Sequence, residues 1–148
     1  MAPAQIDLPK AAAMIDHIPA GTLPSRKAPP EYFTGDVRMD LITESRPPSQ
    51  VFAARVTFEP GARTAWHTHP VGQILHVLSG VGLIALRGEA PRTIRPGDSI
   101  WIEPGVEHWH GATPDTAMSH MAIQQVEDGS GATWLEHVTD PDYLKLAT

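Results

Sequence analysis

The stretch Gly61-Ala-Arg-Thr-Ala-Trp-His-Thr-His-Pro-Val-Gly-Gln-Ile-Leu-His-Val-Leu-Ser-Gly80 constrains this chain more than any other. Glycines close both ends, two histidines stand one residue apart (His67, His69), and Gln73 follows four residues later. On a strand, alternate side chains leave the same face, so His67 and His69 project together. Two neutral imidazoles on one wall suit a transition metal, and Gln73 adds an amide oxygen from the next stretch. Surface histidines also fall into this spacing by chance, so the stretch alone leaves both readings open.

A second run lies about thirty residues further on: Gly97-Asp-Ser-Ile-Trp-Ile-Glu-Pro-Gly-Val-Glu-His-Trp-His110. A Gly-Asp turn leads a strand over Ser99 to Ile102, a Pro-Gly turn follows, and a further strand carries His108. Together the two runs resemble the paired motifs of the cupin superfamily, small double-stranded β-helix or jelly-roll barrels. Gly61, His67, His69 and Gly80 match the first motif, with Gln73 where the family usually has glutamate. Gly97, Gly105 and His108 match the second, while Pro104 sits one place later than usual and Ala112 stands where many members have asparagine. The resemblance spans roughly Asp36 to Glu127. It implies an all-β chain with a single cupin barrel over 36–127, flanked by what reads as an extended N-terminal arm over 1–35 and a tail over 128–148 packing on the barrel.

The residues between the motifs point the same way. Val37–Thr43, Val51–Phe58, Ile74–Leu78, Val81–Leu86 and Met118–Val126 read as strands, with Thr93 to Pro96 leading into the Gly97 turn. Short strands with Gly/Pro punctuation and little helical periodicity predict a barrel or sandwich. Thr133 to Val138 reads as a further strand, and Asp140 to Lys145 as one or two helical turns. Prolines at 3, 9, 19, 24, 29 and 30 exclude a long helix in the arm, although Pro9 to Asp16 can hold a short one. Ile6, Leu8, Met14, Ile15 and Ile18 predict an arm draped over a sheet rather than a free leader.

Charge and composition limit the partners. A formal net charge of −6 argues against nucleic acid and anionic membranes. Without cysteine there is neither a disulfide framework nor a thiolate metal site. No run approaches the ~20 apolar residues of a membrane span, and the first residues lack the pattern of a signal peptide. The expectation is a cytoplasmic protein acting on a small molecule.

Strand parity extends the site. If His108 faces a metal, His110 shares that face. On the last long strand His120, Ala122 and Gln124 share the polar, pocket-facing side. Ala54 and Val56, on the strand before the first motif, are expected to line the pocket and leave room for a small apolar group. His76 has the parity opposite to Gln73 and is expected outside the site. Trp66, Trp101 and Trp109 flank motif histidines at the opposite parity and are expected to pack. The outward apolar face of the last strand needs a cover, so a homo-oligomer, dimer or tetramer, is expected.

A closer resemblance is carried by VTFEPGARTAWHTHPVGQ, PGDSIWIEPGVEHWHGA, TAMSHMAIQ and WLEHVTD. These runs are similar to the bacterial cupin hydroxynitrile lyases, a manganese-dependent group that cleaves cyanohydrins such as mandelonitrile. The resemblance implies a divalent metal, Mn2+ before Fe2+, Ni2+ or Zn2+, held by His67, His69, Gln73 and His108. It places His110, His120 and Gln124 around the metal; of the two histidines able to take the hydroxyl proton, His120 is the favoured acid–base group. Three imidazoles and an amide cancel none of a dication's charge, so such a site favours an anionic ligand and Lewis-acid chemistry. An iron-dependent cupin dioxygenase and a non-catalytic small-ligand-binding cupin are the rival readings, because fold does not settle function.

Overall fold

The computed structural model describes residues 15–146. The chain opens with two short strands, β1 (Arg26–Lys27) and β2 (Phe33–Thr34), followed by β3 (Val37–Thr43) and β4 (Val51–Phe58). The first motif supplies β5 (Arg63–Thr64), β6 (His67–Thr68) and β7 (Gln73–Gly80). After β8 (Gly82–Leu86) and β9 (Arg92–Ile94), the second motif supplies β10 (Ser99–Ile102) and β11 (His108–Ala112). β12 (Met118–Gln125), β13 (Thr133–Trp134) and one helical turn, α1 (Asp140–Tyr143), complete the chain. No helix among the described residues is long and apolar enough to cross a membrane.

Two antiparallel sheets result. The first runs β1-β3-β4-β12-β7-β10; the second runs β13-β6-β11-β5-β2, with β8 on β11 and β9 on β8. Period-two alternation decides what lies between them. Val56, Phe58, Leu75, Val77 and Ala122 from the first sheet meet Phe33, Ile84, Ile94 and Ala112 from the second in one apolar core. Fully burying side chains of this size contributes roughly 1.5–3 kcal/mol each. Phe58 and Leu75 are among the largest that are wholly enclosed.

A smaller cluster lies on the outer face of the second sheet. Trp66, Leu83, Ala85 and Trp109 point away from the interior, and Val138 and Tyr143 of the tail cover them. The expected packing role of Trp66 and Trp109 therefore depends on that tail. Trp101 differs: it is 55% exposed on the outer face of the first sheet. There the register aligns Ala53, Ile123, Ile74 and Trp101 in one row across four strands.

Two short pieces of the expected arm are strand-paired. Arg26 and Lys27 pair with Met39 and Arg38, and Phe33 and Thr34 pair with Thr64 and Arg63. Ile6, Leu8, Met14 and most of the Pro9–Asp16 segment lie outside the described residues, and Ile15 is exposed. Two glycines show why the motif runs close as they do. Gly80 adopts φ +76°, and a Cβ there would stand 1.8 Å from the Ala117 carbonyl oxygen. At Gly111, beside His110, a Cβ would stand 2.4 Å from the Ala62 carbonyl oxygen, so only glycine lets β5 approach β11.

Candidate metal centre

Strand pairing brings the two motifs together: His108 on β11 is the direct register partner of His67 on β6. Both rings point inward with centroids 4.2 Å apart, and His69 lies 4.9 Å from His67 and 5.4 Å from His108. Gln73 enters from the facing sheet, where it pairs with Gln124 and Ile102. His110 and His120 lie deeper, with ring centroids 4.8 Å apart. All of these histidines and Gln73 are buried.

Hydrogen bonds fix the tautomers of three rings. His67 Nδ1 donates to the Ala65 carbonyl at 2.9 Å, His108 Nδ1 to Val106 at 2.9 Å, and His69 Nδ1 to Gly131 at 2.7 Å. A carbonyl oxygen only accepts, so each ring carries its hydrogen on Nδ1 and keeps a lone pair on Nε2. His69 Nε2 and His108 Nε2 are buried without a hydrogen-bond partner. So is Gln73 Oε1, because the Gln73 amide donates at 2.7 Å to Gln124 Oε1 and turns the oxygen away from that bond. Buried acceptors left unpaired cost free energy unless a donor or a cation meets them. The donor set therefore fits a divalent metal.

A close group of three histidines shares two of the three histidines of the expected set, with His110 in place of His69. Among the described residues, His67, His108 and His110 offer atoms within 4.8 Å of one another, and no carboxylate belongs to this group. His69 is not part of it, although its Nε2 is equally enclosed. His110 has a second relationship: its Nδ1 lies 2.9 Å from His120 Nε2, so the pair shares one hydrogen. If His110 Nδ1 donates, its Nε2 is a lone pair turned to the site. If His120 Nε2 donates, His110 Nε2 carries hydrogen and is a donor. Phe58 packs against both rings, at 6.0 and 5.4 Å between centroids.

Burial keeps the cluster uncharged. It lowers His108 and His120 from 6.5 to about 4. Burial again leads for His67, joined by repulsion from His108 and His69, and for His110, joined by repulsion from His120 and His67; both fall well below the ordinary value. His69 is lowered by burial, with its hydrogen bond to the Gly131 carbonyl opposing. Neutral imidazole is the metal-binding form.

The other expected residues fall as follows. Ala54 and Val56 are buried on the inner face of β4, opposite Ala122 and His120 in register, and Val56 belongs to the apolar core. Gln124 reaches the site through Gln73. His76 faces away and bonds Ser99 Oγ at 2.9 Å. Sequence reasoning overlooked Trp134, whose ring stacks on His67 at 4.6 Å and 28°, and the Gly131 carbonyl. The expected tail strand was the one available signal for them. An apolar cleft of about 280 Å³ opens between the edges of β9 and β10. Its lining includes Ile84 and Ile102, the strand neighbours of His110 and Gln73.

A two-sheet β fold with inward histidines from two glycine-bounded motifs is the cupin arrangement, and the Cupin domain family matches residues 54–123. The chain belongs to the cupin family. A relative from Granulicella tundricola, named (R)-mandelonitrile lyase, is 53% identical over 125 residues, covering 84% of this chain and 95% of its own. A cupin-like protein from Thermotoga maritima superposes with a TM-score of 0.75 at 40% identity, covering 79% of this chain and 89% of that one. A cupin-2 domain from Rhodospirillum rubrum, at 19% identity and TM-score 0.64, covers 86% and 82% and bears on the fold alone.

Proposed function

We propose that this protein is a metal-dependent carbon–carbon lyase that cleaves or forms cyanohydrins of the mandelonitrile type. The observation that carries the reading is the 53% identity to the Granulicella lyase across nearly that whole chain. The carboxylate-free donor group agrees with it chemically. The ligands in this reading are His67, His69, Gln73 and His108, with Mn2+ the preferred ion and Fe2+, Ni2+ or Zn2+ alternatives. Such an ion supplies a Lewis acid for the hydroxyl or carbonyl oxygen, and its uncompensated charge favours an anionic partner.

The chain's own groups do the rest. The His110–His120 pair takes the hydroxyl proton, with His120 as the acid–base group. The C–C bond then breaks, its electron pair leaves with cyanide, and the pair returns the proton, giving aldehyde and hydrogen cyanide. Because burial holds both rings neutral at pH 7, the pair starts ready to accept. Gln124, whose Oε1 already accepts from Gln73, uses its amide to orient the substrate. Small side chains at Ala54 and Val56, together with the apolar cleft near Ile84 and Ile102, accommodate the aldehyde's substituent.

The test is metal analysis combined with a mandelonitrile cleavage assay, repeated after chelation and manganese re-addition. Activity lost on chelation and restored by manganese supports the reading. A metal-loaded protein inert toward cyanohydrins sinks it. Turnover that survives His120→Ala removes the acid–base assignment. The outward row of Ala53, Ile123, Ile74 and Trp101 is, on this proposal, covered by a second copy of the chain. A solution mass equal to one 16.0 kDa chain would refute that.

A further inference from the structure

We infer that the C-terminal segment from Gly131 to Tyr143 is a structural wall of the metal centre, and that Arg63 and Tyr143 hold it in place from outside. The inference rests on the metal-site reading above. Two contacts of the segment reach expected ligands directly, and a third reaches Gln124 beside Gln73. The Gly131 carbonyl accepts from His69 Nδ1 at 2.7 Å, which leaves the His69 lone pair on Nε2. Trp134 is the register partner of His67 and stacks on its ring. Gly131 also lies against Gln124, where a Cβ would stand 3.0 Å from Nε2, and Gln124 in turn fixes the Gln73 amide. One segment thus touches His69 and His67 directly and Gln73 through a single intermediary.

The anchoring is separate from the site. Arg63 is buried on β5, and its Nη2 donates to the Val138 carbonyl and to Asp140 Oδ1, each at 2.8 Å. Its guanidinium lies 4.3 Å from the centre of the Tyr143 ring. The Tyr143 hydroxyl donates at 2.6 Å to the carbonyl of Ala112, on the strand that carries His108 and His110. A buried guanidinium that serves two acceptors from one nitrogen and stacks on an aromatic ring is a demanding geometry, and lysine does not reproduce it. Arg63 reaches the metal centre only through the wall, whereas the Tyr143 hydroxyl also bonds β11, so the His69 tautomer is the readout that reports on the wall itself. Arg63 and Tyr143 are positioning residues.

The test compares Tyr143→Phe, Arg63→Lys and Trp134→Ala with the unaltered chain, using two readouts. The first is Mn2+ affinity by calorimetric titration. The second is the His69 tautomer in the metal-free protein, read from nitrogen-15 shifts. Loss of a partner that orients a metal ligand lowers affinity by about 10-fold to 100-fold. About 10-fold is expected for each variant, with His69 changing from pure Nδ1–H to a mixture in Tyr143→Phe and Arg63→Lys. Affinities within twofold of the parent and an unchanged His69 tautomer would overturn the inference. If the unaltered chain takes up no Mn2+, the function reading fails, and the tautomer in the metal-free variants still decides the wall. Circular dichroism of each metal-free variant separates a displaced wall from an unfolded chain. Should Arg63→Lys fail to fold, Tyr143→Phe, which removes only one hydroxyl, decides.

Discussion

His67 and His108 are oriented by carbonyls two residues back in the chain, just before their strands begin, whereas His69 is oriented by a carbonyl sixty-two residues further on. The chemistry is the same in each case: an Nδ1–H bonded to a backbone oxygen and an Nε2 lone pair turned inward. The dependence is not. A motif of about ten residues carries the orientation of the first two wherever it folds. The third exists only once the tail has crossed the barrel and docked. A candidate metal centre assembled in this way has a locally determined half and a half that depends on the finished fold.

The largest expected effects come from the local half. His67→Ala and His108→Ala remove residues common to the expected ligand set and to the tight His67/His108/His110 group. Either should reduce Mn2+ affinity by more than about 100-fold, beyond the range for an outer partner. His69→Ala should do nearly the same, while His110→Ala should leave the metal bound and turnover lost. The reverse result for that second pair would move His110 into the ligand set and His69 out of it. Metal content by mass spectrometry alone gives the answer.

Acid should act on both halves together. The unfolded chain binds protons at these histidines near 6.5, whereas His108 and His120 in the fold wait until about 4. Between those values the unfolded state holds more protons, so stability falls as pH drops and is fully present above about 6.5. The urea midpoint of the metal-free protein should therefore decrease steadily from pH 7 to pH 4.5. A midpoint flat across that window would show that the histidine cluster is not desolvated in the metal-free chain.

The same division explains what could be read from the sequence. Period-two alternation placed His67 with His69, His108 with His110, and His120 with Gln124, because parity is a local property. It also separated the packing tryptophans Trp66 and Trp109 from the histidines beside them. Trp134 and Gly131 escaped because nothing within the tail says which strand it will pair with. Likewise, composition could not reveal that Arg63 would be buried: its partners are a main-chain carbonyl and a carboxylate more than seventy residues away. The arm is expected to drape over a sheet, but β1 and β2 within it were not legible, since two-residue strands carry no periodicity and form where a sheet edge is available.

The smallest effects should distinguish the tail anchor from an ion-pair cluster close beside it. Arg87 bonds Glu107 at 3.0 Å and Glu136 at 2.6 Å, and its guanidinium lies 4.1 Å from the centre of the Trp66 ring. By count of contacts it resembles Arg63. The difference is solvent: the Arg87 side chain is 39% exposed, against 6% for Arg63. Water and salt screen the exposed cluster, and its partners lose little when they are released. Tyr143→Phe removes one buried hydrogen bond and should cost about 1 kcal/mol in urea unfolding. Arg87→Ala, although it removes two ion pairs, should leave both metal affinity and the His69 tautomer unchanged. If Arg87→Ala weakened Mn2+ binding as much as Tyr143→Phe did, control of the site would lie in the tail's overall attachment rather than in the buried anchor.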